Sequence, residues 1–311
     1  MALTLTEGNK YSTTELQGYV IDRLAKLDPI LSVLPFESLL GNSLTYDTIT
    51  TRSGATFYGV GDTWEEQTPI VTQATVTLKI LGGDADIDNF LLSTRSNKLD
   101  LKGTILDDKI KSTREKFLDT FYYGNGSSNA KEFNGLQVLI SDTTYNTVNA
   151  GASTGSALSI VNLQSAIDLI TGWEPTHMVM TKQMRRYINV YLDSIGDKFT
   201  AVRGDYGKMI EYFRGLQIVT SDHLLDTETA SSGAYAASTG GGNTTIFILT
   251  FDSKACSGVQ GSEGVMTVPL GDLETKDASR YRIKWYCGLK YEDLRSCAKI
   301  DGIDANGTVA A

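Results

Sequence analysis

The sequence predicts an α+β protein, and three observations carry that expectation. A strand-patterned, largely polar ribbon occupies 44–82, a long charged helix follows at 98–123, and the second half alternates short buried-strand runs with amphipathic helices. A Ser/Thr/Gly linker at 142–156 separates the first two features from the third.

Each element has a local reason. The text from 11 to 40 is weakly helical and partly apolar, and Pro35 and Gly41 set it off from the strand-patterned ribbon, so 1–43 reads as an N-terminal arm. Two alternating runs come next, Leu-Thr-Tyr-Asp-Thr-Ile-Thr-Thr from Leu44 and Thr-Gln-Ala-Thr-Val-Thr-Leu-Lys-Ile from Thr72, around a Gly- and acid-rich middle at 59–69. This is an extended hairpin whose faces are mostly threonine. An isolated two-stranded hairpin is marginal in water, so it should rest on something else. In the helix, Leu99, Leu106, Ile110, Phe117 and Phe121 form one apolar stripe at spacings of seven and four, while Lys98, Lys102, Lys109, Lys111, Arg114 and Lys116 alternate with acids on the other face. About 25 residues of helix would run nearly 40 Å, ending at Gly124-Asn-Gly126. Beyond the linker, helices are expected at 160–170 and 181–192, and buried strands at 177–180, 216–219 and 246–249. The low-complexity run 230–243 reads as a mobile surface loop, and 265–270 as a strand able to pair with the aromatic and basic strand 280–289.

Composition removes several function classes. A chain of 311 residues can bury a sizeable core, and 41% hydrophobic with 21% charged residues excludes wholesale disorder. With 28 Lys+Arg against 37 Asp+Glu, the net charge of −9 gives no general attraction to phosphate backbones or anionic lipid. The first residues show no secretory pattern and no apolar run is long enough to span a bilayer, so a soluble protein of the cell interior is expected. On that expectation the Asn-x-Ser/Thr matches at Asn125, Asn243 and Asn306 are coincidental. Cys256, Cys287 and Cys297 are odd in number and lack CxxC spacing, which reads as buried thiols.

No constellation asks to be called an active site. His177 heads an apolar strand and reads as a core histidine; His223 is the only other histidine. Gly151-Ala-Ser153-Thr-Gly155 matches a nucleophile elbow, but the text before it is too polar for the central strand such an elbow needs. Asp84-Ala-Asp86-Ile-Asp88 begins like a calcium loop, yet Arg95 stands where a bidentate Glu is required, so these acids read as the solvated face of a strand. Gly59-x-Gly61 and Gly124-x-Gly126 lack the third glycine of a dinucleotide site. No cofactor and no metal are expected.

The order of elements resembles a family. An arm, a long two-stranded loop and a long helix ending in Phe-Tyr-Tyr-Gly124-Asn-Gly126 come before Phe133-Asn-Gly135-Leu136. An α/β part with Gly215-Leu-Gln-Ile-Val-Thr-Ser-Asp222 comes after them, and the chain closes with Arg282, Gly288-Leu and Cys297-Ala-Lys-Ile. Together these resemble the tailed-phage major capsid proteins of the Hong Kong ninety-seven type. The resemblance implies an extended loop at 44–82, a peripheral domain at 83–140 with the spine helix, a linker and axial domain at 141–264, and strands at 265–311 that return through the peripheral domain and close on the axial one. It also implies a non-catalytic shell protein, assembled in the host cytoplasm into pentamers and hexamers of an icosahedral virion capsid. Such a shell would enclose DNA without specific binding and without any membrane. Because the sequence opens almost directly on the arm, scaffolding is expected from a separate protein, with a portal and a decoration protein as further partners.

Encapsulin shells, which enclose enzymes, use the same fold and are the alternative reading; a hydrolase built on Ser153 with His177 or His223 is a remote one. At the hairpin tip, Asp62, Trp64, Glu65 and Glu66 are the candidates for docking on a neighbouring subunit, with Lys109, Lys111, Arg114 and Lys116 of the helix as the first basic partners. Some family members weld subunits by an isopeptide bond from a loop lysine. Here no Lys lies between Lys26 and Lys79, so a shell without covalent cross-links is expected.

Overall fold

The computed structural model describes residues 29–51, 53–95, 101–142, 145–151, 155–196, 200–203, 209–228, 242–307 and 309. Most of the expected arm, Ser153 and nearly all of the run 230–243 lie outside the described residues.

A short helix α1 (Ile30–Val33) leads through Pro35 into β1 (Phe36–Leu39). Strands β2 (Ser43–Thr51) and β3 (Ile70–Thr77) pair antiparallel and only with each other among the described residues, from Ser43 opposite Thr77 outward. The expected second leg at 72–80 belongs to the hairpin only as far as Leu78, whose N–H donates to the Asn42 carbonyl at 2.9 Å. Lys79 then opens β4 (Lys79–Asp88), which belongs to a different sheet. Helix α2 (Asn89–Arg95) and the long α3 (Leu101–Tyr123) follow, then α4 (Leu136–Leu139), β5 (Thr147–Asn149), α5 (Ile160–Asp168) and β6 (His177–Met180). Next come α6 (Lys182–Ile195), β7 (Thr200–Arg203), β8 (Met209–Phe213) and β9 (Leu216–Thr220). The chain ends with β10 (Asn243–Leu249), β11 (Cys256–Asp272), β12 (Ala278–Tyr291) and β13 (Ala298–Asp304).

Two larger sheets organise these elements. One has four strands in the order β1-β11-β12-β4; the expected pairing of 265–270 with 280–289 is part of it, with Val265 opposite Trp285. The other has seven strands in the order β5-β13-β10-β6-β9-β8-β7. Along its interior strand β10, successive side chains point to opposite faces. Phe247 and Leu249 therefore enter one core and Ile246 and Ile248 the other.

The first core joins the two sheets through α3. Phe117 and Phe121 of the expected stripe are fully buried, with Leu118 and Tyr122 beside them, and the Phe117 ring lies 4.4 Å from Trp285 of β12. Leu106 and Ile110 are only half-buried, so the helix is anchored by its C-terminal half. The second core lies under α5 and α6, where Met184, Ile188 and Leu192 recur every four residues on the buried face. The Thr181 side chain caps α6 by accepting from the Met184 N–H at 3.2 Å, which is why the helix starts after 181.

Two glycines explain how α3 ends. The Gly135 N–H donates to the Gly124 carbonyl at 2.8 Å, and a Cβ at Gly135 would sit 2.5 Å from the Thr120 carbonyl oxygen and 2.7 Å from the Gly124 nitrogen. Only residues without side chains allow the returning chain this close to the last turn.

Candidate subunit interface

The hairpin is rooted on its own subunit by few, specific contacts. The Tyr46 hydroxyl donates to the Tyr291 carbonyl at 2.8 Å, and the Thr48 hydroxyl to the Glu292 carbonyl at 3.0 Å. The crossing over β12 is close, since a Cβ at Gly288 would stand 3.4 Å from Val76 Cγ1. Beside it Lys290, with its side chain 8% exposed, places its ammonium 2.8 Å from Glu292, 3.6 Å from Glu37 of β1 and within reach of the Ser253 carbonyl at 2.7 Å. Lys79 is held at the base by the Ala130 carbonyl, 2.8 Å from its Nζ.

Beyond Thr51 the ribbon leaves the body, and its tip folds on itself. Tyr58 and Trp64 stack with ring centroids 4.3 Å apart, and the Tyr58 hydroxyl accepts from the Glu65 N–H at 3.0 Å. The Asp62 carboxylate accepts from the Gly59 N–H, so this acid closes the turn of the tip. Phe57 and Val60 are fully exposed and Trp64 is 78% exposed, an apolar cap on a polar stalk. Glu65 and Glu66 are exposed and form no ion pair among the described residues.

The structure does not bring the tip acids onto the cations of α3 within one chain. Lys111 pairs with Asp107 one turn earlier at 3.5 Å, and Lys116 with Glu132 at 3.2 Å. The Lys109 side chain lies against Gly83, while Arg114 is exposed. Arg114 is thus the least committed of the four candidate cations.

His177, expected in the core, is only half-buried: its Nδ1 is 2.7 Å from Thr176 Oγ1, its ring lies 5.1 Å from Phe251, and burial lowers its pKa. It sits at the first residue of β6, where the strand emerges from the sheet. His223 is buried with Nδ1 2.7 Å from Asp119 Oδ1. Neither ring bonds a serine hydroxyl among the described residues. All three cysteines are buried and free, and burial pushes the Cys287 thiol up to about 12. Among the described residues no cluster of three or more His, Cys, Asp or Glu could hold a metal ion, and no helix is long and apolar enough to cross a membrane.

Asp84 and Asp86 lie, as expected, on the face of β4 opposite the buried Ala85 and Ile87, but they are paired there and not simply solvated. Asp86 is bonded by Arg280 through Nε at 2.6 Å and Nη2 at 2.8 Å, and Asp84 by Arg282 at 2.7 and 2.9 Å. The reason is register: β4 and β12 place Asp86 directly opposite Arg280 and Asp84 opposite Arg282. The guanidinium groups hold both carboxyls below the usual carboxylate range.

No family model and no curated protein sequence matches the chain. Solved structures do. The chain is similar to the encapsulin of Synechococcus elongatus PCC 7942 with a TM-score of 0.69 and 14% identity, over 91% of this chain and 89% of that one. It is similar to the capsid of a native GTA particle with a TM-score of 0.64 and 13% identity, over 88% and 89%. The chain has the Hong Kong ninety-seven-type capsid fold. A chain from Mycobacterium phage Ogopogo is similar at a TM-score of 0.60 and 15% identity, over 89% and 92%. Within this capsid fold, the residues that sequence reasoning passed over are Lys290, which ties β1, β12 and the hairpin root, and the buried Glu228. Arg280 and Arg282 carried a readable signal in their alternation, matched by that of Asp84 and Asp86 on the partner strand.

Proposed function

We propose that the chain is the major capsid protein of a tailed double-stranded DNA phage. In this reading it self-assembles through pentamers and hexamers into an icosahedral virion shell in the host cytoplasm and catalyses nothing. The observation that carries this reading is the hairpin: a polar ribbon without a core of its own, rooted at Tyr46 and Thr48, ending in an exposed apolar cap at Phe57, Val60 and Trp64. Such a cap is stable when another surface covers it, and a neighbouring copy is the surface a shell supplies. Docking is assigned to Trp64 with Glu65 and Glu66, and Arg114 is the foremost receptor on α3, ahead of Lys109, Lys111 and Lys116. A separate scaffolding protein, a portal and a cement protein complete the particle.

A second reading, a compartment shell around cargo enzymes, is favoured by one observation, the likeness to an encapsulin at a TM-score of 0.69. Negative-stain microscopy of the full chain, expressed alone and with a scaffolding partner, tests the shell. Closed particles of uniform size are expected. A monodisperse monomer under every condition would refute it, and DNA-filled against enzyme-filled particles from the native source separates the two readings.

A further inference from the structure

Behind the end of α3 runs a line of buried and half-buried polar groups. Glu228 is fully buried. One of its carboxylate oxygens accepts from the hydroxyl of Tyr123, the last residue of α3, and the other from the Thr245 hydroxyl of β10 at 2.6 Å. Thr245 Oγ1 accepts from the Gln137 side-chain amide of α4 at 2.9 Å. Gln137 in turn accepts from the Lys299 ammonium of β13, through its backbone carbonyl at 3.1 Å and its Oε1 at 3.0 Å. Lys299 stands 3.9 Å from Asp301, and the Tyr123 hydroxyl also accepts from the Leu225 N–H at 2.9 Å. A single hydrogen-bonded line thus ties the end of the long helix to the seven-stranded sheet.

We propose that this line is a proton-operated coupling, in which uptake of one proton by Glu228 loosens the tie between the end of α3 and the sheet. Both oxygens of Glu228 are acceptors, bonded by the two hydroxyls and faced by the Gln137 side-chain amide, an arrangement that fits a carboxylate. Protonation turns one oxygen into a donor, so one of the two hydroxyls loses its acceptor. Burial pushes the Glu228 carboxyl up to about 7, against the hydrogen bonds of Thr245 and Tyr123 and the charge of Lys299, and burial brings Lys299 down to about 8. Both groups therefore change charge near neutrality. Other titratable groups face the line as well. Burial and the Glu228 charge push the Tyr123 hydroxyl up, so it stays a donor. Tyr122 adjoins it on α3, Asp301 faces Lys299 from β13, and the Asp119–His223 pair lies one turn back along α3.

The sign of the linkage gives a distinctive pattern. Glu228 holds its proton better in the folded chain than in the unfolded one, so between about 4.5 and 7 its contribution makes the fold less stable as pH rises. Through Glu228, acid thus favours the folded chain while loosening one tie within it.

The test uses the full chain, in whatever assembled state it purifies, between pH 5.5 and 8.5. Infrared difference spectra should show a buried carboxylic-acid band titrating near 7 and lost in Glu228→Gln. Hydrogen exchange, corrected for intrinsic rates, should show protection at 120–123 and at Leu225 falling from pH 8 to pH 6 in the wild type. In Glu228→Gln the protection should be low and independent of pH. Tyr123→Phe keeps the carboxyl and removes a donor to its charged form, so the band's midpoint should move to higher pH. A band that survives Glu228→Gln, an equal pH slope of protection in the two proteins, or an unmoved midpoint in Tyr123→Phe would each overturn the proposal. The last applies even where Glu228→Gln fails to fold.

Discussion

Arg280 and Arg282 sit two residues apart on one strand and each makes a paired contact with the aspartate opposite, yet they are not equivalent, and Arg280 also stands 3.7 Å from Asp84. Asp86, opposite Arg280, has its side chain 8% exposed, whereas Asp84, opposite Arg282, is 28% exposed. A carboxylate cut off from water loses more when its partner is removed, because solvent cannot replace the missing donors. Arg280→Ala is therefore expected to lower the urea midpoint clearly more than Arg282→Ala, without changing the slope. The pH window is set by the direction of the shifts. Both carboxyls are held below 3.8, so their stabilisation is complete above that value and is lost as pH falls through the lower folded values. The difference between wild type and Arg280→Ala should be full at pH 7 and close in acid below about 3.8; a difference independent of pH would show that the arginine acts through packing alone.

At the scale of elements, the hairpin carries the sharpest expectation. Its tip acids face solvent, and charged pairs across an interface govern encounter and register more than affinity. Reversing Glu65 and Glu66 to lysine should leave subunit stability within about 0.5 kcal/mol, as for most surface changes. At low salt it should slow assembly by about ten-fold or more, and the product particles should be irregular. Unchanged rate and shape would reduce these acids to solubility devices. The hairpin was legible in the sequence because the threonine alternation at 44–51 and 72–77 is local information. Its end at Leu78 was not, since the alternation runs on through Lys79 and Ile80, and only their pairing with Cys287 and Tyr286 of β12 takes them out of the hairpin. The same limit hid the ladder of Asp84 and Asp86 with Arg280 and Arg282. Each strand announced its own period, but which residue faces which across nearly 200 positions is set by tertiary register. Glu228 left no trace at all, being one acid next to a low-complexity run, buried by elements far away in the chain. Among the sites, the tip acids were readable as charge on a hairpin, whereas the pairing of Lys111 and Lys116 with their own chain depends on helix and loop geometry.

For the whole molecule, lysine placement bears on how particles hold together. Lys79, the first lysine after Lys26, is engaged by Ala130 of its own chain. Particles boiled in detergent with reductant should therefore run as a single band at the mass of one chain, and a heat-stable ladder of multimers would refute this. The hairpin itself is mounted in two stages. Its two legs continue into β1 and β4, the opposite edges of the four-stranded sheet, and both leave at the same level, near Cys287, as Leu39 lies opposite Gly261 and Lys79 opposite Cys287. The anchors are three strand spacings apart, about 14 Å. The legs converge from these anchors onto one root, where the Leu78 N–H donates to the Asn42 carbonyl at 2.9 Å. Above that root two hydroxyls, Tyr46 and Thr48, bond the hairpin to the body, at about 1 kcal/mol for each hydrogen bond. The hairpin is thus held to its own body by a light catch above a fixed root.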